Sequence, residues 1–188
     1  MSIYIALTVT TNSIRCAAVA RLGLSEPVVV SPDAGFVKRA RQYARCLGAP
    51  LAIADKQRLD DTGTVAVHQI IGEVRGRTSL IFDDFTVEAG TLVEVARKLR
   101  ECGATDICAA VTHGVFAGRY MERLNDSPIR KLLVTDTVET QPVTFLGKGK
   151  GEGKGKGKVG VVSVAPLFAE AIKRIHERES ISGLFPDF

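Results

Sequence analysis

The stretch LIFDDFTVEAGTLVEVARKL, residues 80–99, decides the fold. A short apolar run, Leu80-Ile81-Phe82, ends in two adjacent acids, Asp83 and Asp84, and a loop leads from them to Gly90-Thr91. Leu92, Val95, Ala96 and Leu99 then follow at the i, i+3, i+4, i+7 spacing of a helix with one apolar face. The same strand-then-helix alternation recurs outward. Val28-Val29-Val30 runs into a turn at Ser31-Pro32-Asp33-Ala34-Gly35 and a helix whose apolar face carries Val37, Ala40, Tyr43, Ala44 and Leu47. Leu51-Ala52-Ile53, Ile107 to Val111, Leu132 to Val134 and Val161 to Val164 are further apolar runs, and Phe168, Ala171, Ile172 and Ile175 mark a last amphipathic helix. Continuous apolar runs imply strands buried on both faces, and their alternation with helices makes the sheet mainly parallel. The expected class is α/β, with sites at the carboxyl ends of the strands.

The chain has 188 residues, 45% of them hydrophobic, which is enough for one self-sufficient domain over residues 1–188. No run of 18 apolar residues and no basic leader with a cleavage site is present, so neither a membrane nor secretion is expected, and the chain is placed in the cytoplasm. Cys16, Cys46, Cys102 and Cys108 form no C-x-x-C pair and are expected as buried thiols. The net charge of +4 is local: the segment GKGKGEGKGKGK, residues 147–158, holds five lysines and one glutamate, and the rest of the chain is neutral. Without a chain-wide basic footprint, nucleic-acid binding is not expected. The segment lacks the Lys-Ser/Thr ending of a phosphate-binding P-loop and reads as a solvated linker between two strands.

Three strand ends carry candidate chemistry. In LIFDDFTVEAGT the two acids can hold a divalent ion or ribose hydroxyls, while the helix start at Gly90-Thr91 suits a phosphate; otherwise Asp83, Asp84 and Glu88 only cap and solvate the loop. Asp55-Lys56-Gln57-Arg58, ahead of the polar stretch LDDTGT, offers two cations for charge on a transferring phosphoryl group, or is a solvated loop. Asp33 sits at a strand-to-helix turn and reads equally as a capping residue.

Taken together, these segments resemble the C-terminal half of ribose-phosphate diphosphokinase (phosphoribosyl pyrophosphate synthetase), of the type I phosphoribosyltransferase fold. The likeness runs from about Leu22 to Phe185 through VVVSPDAGFVKRAR, APLAIADKQR, IIGEVRGRTSLIFDDF, AGTLVEVARKLRECGA, AAVTHGVFAGRYMERL, SPIRKLLVTDT and SVAPLFAEAIKRIHERESISGLF. Residues 1–24 resemble at best the segment preceding that half. The resemblance implies that Lys56 and Arg58, on a flexible catalytic loop, stabilise the transferring diphosphoryl group. It makes Asp33 a metal-linked aspartate, for magnesium (Mg2+). Asp83 and Asp84 would face the ribose hydroxyls, and Ala89, Gly90 and Thr91 would end the loop that holds the 5-phosphate. His113 is expected to be structural.

The likeness has departures. Where the family loop reads DDxxDTxGT, this chain reads DDFTVEAGT, so Val87 replaces an aspartate and Glu88 a threonine. Glu88 sets a negative charge beside a dianionic phosphate unless it turns to solvent or to a cation. Phe36 replaces a glycine in the first turn. Family enzymes carry two related domains, and the first, with most ATP contacts, has no counterpart here. The implied reaction is transfer of diphosphate from MgATP to ribose 5-phosphate, giving phosphoribosyl diphosphate and AMP. The alternative is a non-catalytic regulatory or partner subunit of a complete synthetase; a base-using phosphoribosyltransferase ranks last for want of a base-binding hood. The resemblance also implies a homo-oligomer, or association with a full-length synthetase.

Overall fold

A computed structural model describes residues 15–58, 65–139 and 157–184. LDDTGT and all but the last two residues of the Gly/Lys segment lie outside them. The elements in order are a helix over residues 15–20 (α1), β1 (Pro27–Ser31), α2 (Val37–Leu47), β2 (Leu51–Arg58), β3 (Val65–Ile71), β4 (Thr78–Thr86), α3 (Gly90–Glu101), β5 (Asp106–Gly114), α4 (Tyr120–Asn125), β6 (Lys131–Thr135), β7 (Val159–Val162) and α5 (Ala165–His176), with a last 3-10 turn at Ser182–Leu184.

Among the described residues the strands form one sheet in the order β3-β2-β1-β4-β5-β6-β7, parallel except for the β2–β3 hairpin. The period of two along each strand explains the continuous apolar runs. Val28, Val30, Ile81, Ala109 and Val111 pack on one face beneath Leu92, Val95, Ala96 and Leu99 of α3. Their neighbours Val29, Leu80, Phe82, Cys108 and Ala110 pack on the other against Ala40, Tyr43 and Ala44 of α2 and Cys16 and Val19 of α1. Tyr43 stacks on Phe82 with ring centroids 4.0 Å apart, and Phe36 lies beside Tyr43, so the residue in the glycine position extends this second core.

Several expectations are corrected. β2 continues past Ile53 to Arg58, because β3 pairs with it antiparallel through a register shift at Asp55/Lys56. Lys56 and Arg58 are therefore strand residues rather than loop residues. β4 likewise continues through Asp83 and Asp84 to Thr86, held by β5, with Asp83 opposite Val111 and Phe85 opposite His113. α5 forms as expected, but Phe168, Ile172 and Ile175 are exposed and none of its residues is buried. Cys16 and Cys108 are buried, whereas Cys46 is exposed and Cys102 half-buried; all four are free thiols. Lys158 is half-buried and tied down: its ammonium donates to the carbonyl oxygens of Leu124 (3.0 Å), Asn125 (3.2 Å) and Ser127 (3.0 Å) at the end of α4. No helix among the described residues is long and apolar enough to cross a membrane.

Candidate functional site

The carboxyl ends of β2, β1 and β4 lie side by side, and the chain leaves β1 toward β2 on one side while β4 pairs on the other. This is a switch point of an open α/β sheet, where the crossovers part and leave a crevice. A cleft of about 860 Å³ opens there, lined by Asp33, Lys56, Asp83, Phe85 to Glu94, Arg97 and Arg123.

The side chains reach it by strand parity. Asp83 shares the α3 face of β4 with Ile81 and enters the cleft. Asp84, on the parity of Phe82, meets Arg39 of α2 in an ion pair and is not among the residues lining the cleft. Burial and the neighbouring Asp33 carboxylate push the Asp83 carboxyl up to about 7, against the pull of the Lys56, Arg15 and Arg39 cations. Asp33 caps and lines at once. Its Oδ1 accepts the Phe36 N–H at 2.9 Å at the start of α2, and its carboxylate faces the same cleft. Lys56 Nζ donates to Thr91 Oγ1 at 3.5 Å, bringing the cationic strand end against the first turn of α3. Arg58 is the last residue of β2, its backbone paired with Val65.

The loop into α3 leaves backbone donors open to the cleft. Thr86 Oγ1 accepts the Ala89 N–H at 3.2 Å, and Ala89, buried, is held in the left-handed region at φ 58°. A non-glycine residue there costs roughly 1–2 kcal/mol. No side chain caps α3 and no acid lies in its first turn, so its free N–H groups and dipole end face the cleft at Gly90 and Thr91. Glu88 turns to a cation: its Oε2 forms an ion pair with Arg123 Nη1 of α4 at 2.8 Å.

Magnesium fits this donor set. Mg2+ is commonly held by one or two carboxylates together with substrate phosphates. Among the described residues no group of three or more His, Cys, Asp or Glu could cage a metal, but Asp33 and Asp83 are close enough for one charge to raise the other's pKa. Asp33 and Asp83 would hold such a cation, whose charge would relieve that repulsion.

Arg15, Arg39, Thr86 and Arg123 were not legible as site residues. Arginines on helices read as solvated charge, and only the fold shows which acid each meets. His113 is buried and structural in its contacts, with Nδ1 2.8 Å from Thr137 Oγ1.

A mainly parallel α/β sheet places acids, a lysine and an uncapped helix start together at its switch point. Residues 65–186 match the family model of the phosphoribosyl synthetase-associated domain, and the chain belongs to that family. It is 48% identical over 158 residues to a ribose-phosphate pyrophosphokinase of Caldanaerobacter subterraneus subsp. tengcongensis, covering 84% of this chain and 46% of that protein. It is 46% identical over 168 residues to one of Rhodopirellula baltica, covering 88% and 49% respectively. The phosphoribosylpyrophosphate synthetase of Mycobacterium smegmatis superposes with a TM-score of 0.73 at 31% identity, over 89% of this chain and 51% of that one. The fold is thus of the type I phosphoribosyltransferase kind. The chain spans about half the length of the curated relatives it matches.

Proposed function

We propose that this chain carries the ribose-phosphate side of a ribose-phosphate diphosphokinase, which transfers the β,γ-diphosphoryl group of MgATP to the 1-hydroxyl of ribose 5-phosphate and releases AMP. The observation that carries the reading is the meeting of Lys56 with Thr91 in one cleft with Asp33 and Asp83. Cation, acids and phosphate-loop end are what in-line diphosphoryl transfer to a phosphosugar requires. The 5-phosphate sits at Ala89, Gly90 and Thr91, on the free N–H groups of α3. Asp83 accepts from the ribose hydroxyls. Asp84 joins it only by exchanging its Arg39 partner for a sugar hydroxyl. Lys56, with Arg58 beyond it on the same strand, stabilises charge on the diphosphoryl oxygens. Asp33, with Asp83 opposite, would hold Mg2+, which when bound neutralises phosphate charge.

Names of the relatives favour this enzyme over a purely regulatory subunit. Association with a second copy or a full-length synthetase belongs to the same reading, since Phe168, Ile172 and Ile175 of α5 are exposed together. The test is AMP release from MgATP by the purified chain, with and without ribose 5-phosphate, alone and with a full-length synthetase. Sugar-dependent release that Lys56→Ala abolishes supports the proposal. Release that Lys56→Ala leaves intact overturns it.

A further inference from the structure

Glu88 is the residue that ought to repel a phosphate at the start of α3, and its surroundings point to a second role. Its carboxylate is paired with the Arg123 cation at 2.8 Å, and its Oε1 lies only 2.8 Å from where a Cβ on Gly118 would stand. Gly118, at φ 62°, leaves the space that lets Glu88 lie back from the cleft. The same Arg123 Nη1 is 3.2 Å from the Cβ position of Gly90, so the guanidinium rests against the first residue of α3. The segment leading to α4 is bonded to the loop itself: Val115 N–H donates to Thr86 O at 2.9 Å and Ala117 N–H to Val87 O at 3.0 Å. Arg123 is therefore fixed to the loop it overlooks.

We propose that Arg123 is a phosphate-recognising residue of this cleft and that Glu88 is its internal placeholder, displaced when the phosphate of the sugar docks at the N-terminus of α3. The proposal rests on the functional reading above and names the residue that sets affinity within it. Exchange is favoured by magnitude. The Glu88–Arg123 side chains are 47% and 45% exposed, and an ion pair so exposed contributes little. A phosphate monoester carries close to two charges and accepts two parallel N–H bonds from a guanidinium. Arg97 also lines the cleft, in a pair with Glu94 that is as exposed, but it lies seven residues along α3 from Gly90, and Lys56 reaches Thr91 from the β2 side. Position against Gly90 thus singles out Arg123 on the α4 side.

The test is calorimetric titration of the full chain with ribose 5-phosphate, ribose and inorganic phosphate, using wild type, Arg123→Gln, Glu88→Gln and the double variant. Arg123→Gln is expected to weaken ribose 5-phosphate roughly tenfold or more without changing ribose, and Arg123→Lys to recover part of the loss. Glu88→Gln is expected to tighten ribose 5-phosphate severalfold, and that gain is expected to vanish in the double variant. Unchanged affinity in a folded Arg123→Gln overturns the proposal while leaving the functional reading intact. If Arg123→Gln does not fold, loss of affinity in Glu88→Gln overturns it instead. Failure of folded wild type to bind ribose 5-phosphate overturns both.

Discussion

Arg15 Nη1 donates to the backbone carbonyl oxygen of Asp83 at 2.7 Å, from a guanidinium that is fully buried beneath β4 and stacked 4.8 Å from the Tyr43 ring centroid. Burial pushes this group down to about 9, still charged at neutral pH, so the charge costs the fold something that the hydrogen bond offsets. Its benefit lies at the site, where it fixes the backbone that aims Asp83 into the cleft. Arg15→Met keeps the volume and removes both cost and bond. The expected stability in urea stays within about 1 kcal/mol of wild type, while ribose 5-phosphate binding weakens. A stable variant that binds as wild type does would remove Arg15 from the site's support.

Gly72, where β3 ends, is a test of how β2 is held. At φ 117° it takes a conformation that side chains rarely adopt, and a Cβ there would stand 3.0 Å from both Cα and Cβ of Ala52 and 3.1 Å from Leu51 O. Those atoms are backbone and core of β2, the strand that carries Lys56. Gly76 has a similar positive φ of 74° but open space around it. Gly76→Ala is expected to cost about 1 kcal/mol for the conformation alone. Gly72→Ala adds the clash and is expected to cost roughly 2–4 kcal/mol. Denaturation midpoints of the two variants separate the terms, and equal midpoints would contradict the packing seen at Ala52.

Much of this architecture is legible in residues 28–47 and 80–99, because apolar period is a direct record of burial. Val28 to Val30 and Leu80 to Phe82 are apolar throughout since both faces of the sheet are covered, and Ala40, Tyr43, Leu92 and Leu99 fall on the buried stripes their spacing predicts. The apolar signal fades where strands run out into the cleft. Asp83 and Asp84 read as loop because polar side chains mark a strand's end in sequence, whereas backbone pairing with β5 carries the strand on to Thr86. Lys56 was lost for the same reason, whereas β3 was lost because His68-Gln69 splits its apolar residues into two short pieces that only pairing with β2 joins. The candidate acids, lysine and phosphate loop were legible through motif wording. Their partners Arg15, Arg39 and Arg123 were not, since no spacing rule connects a helix arginine to an acid tens of residues away.

His113 gives the fold an acid-side pH dependence. Burial, with a smaller contribution from the Arg15 charge, holds its pKa below the ordinary 6.5. Between that lowered value and 6.5 the unfolded chain binds more protons than the folded one, so stability rises with pH through the window and falls on acidification below 6.5. The neutral ring keeps its place beside Thr137 Oγ1, which in turn meets Thr135 Oγ1 at 2.9 Å, tying the ends of β5 and β6. Asp83, whose carboxyl is raised to about 7, contributes in the opposite sense over the same range, so the His113 share is read as a difference: from pH 8 to pH 5 the urea midpoint of wild type should fall relative to that of His113→Gln. Parallel profiles would assign the acid sensitivity to other groups.

Lys158 ties the end of the Gly/Lys segment to the end of α4, the helix whose Arg123 pairs with Glu88. The three donors of Lys158 meet the carbonyls of Leu124 and Asn125, at the end of α4, and of Ser127 just beyond it. α4 has only six residues, too few to hold itself together, so this ammonium and the burial of Tyr120 and Leu124 fix it in place. Lys158→Met removes all three bonds, although Leu124 O keeps its Ser127 donors, and is expected to cost roughly 1–3 kcal/mol. Lys158→Arg keeps the charge but presents a planar fork where three diverging donors are needed, and should recover only part. Because α4 carries Arg123 over Gly90, loosening it is also expected to weaken ribose 5-phosphate binding, by less than Arg123→Gln does. Loss of stability with no change in binding would mean that Arg123 keeps its position without its helix being capped, and that the loop contacts at Val115 and Ala117 hold it alone.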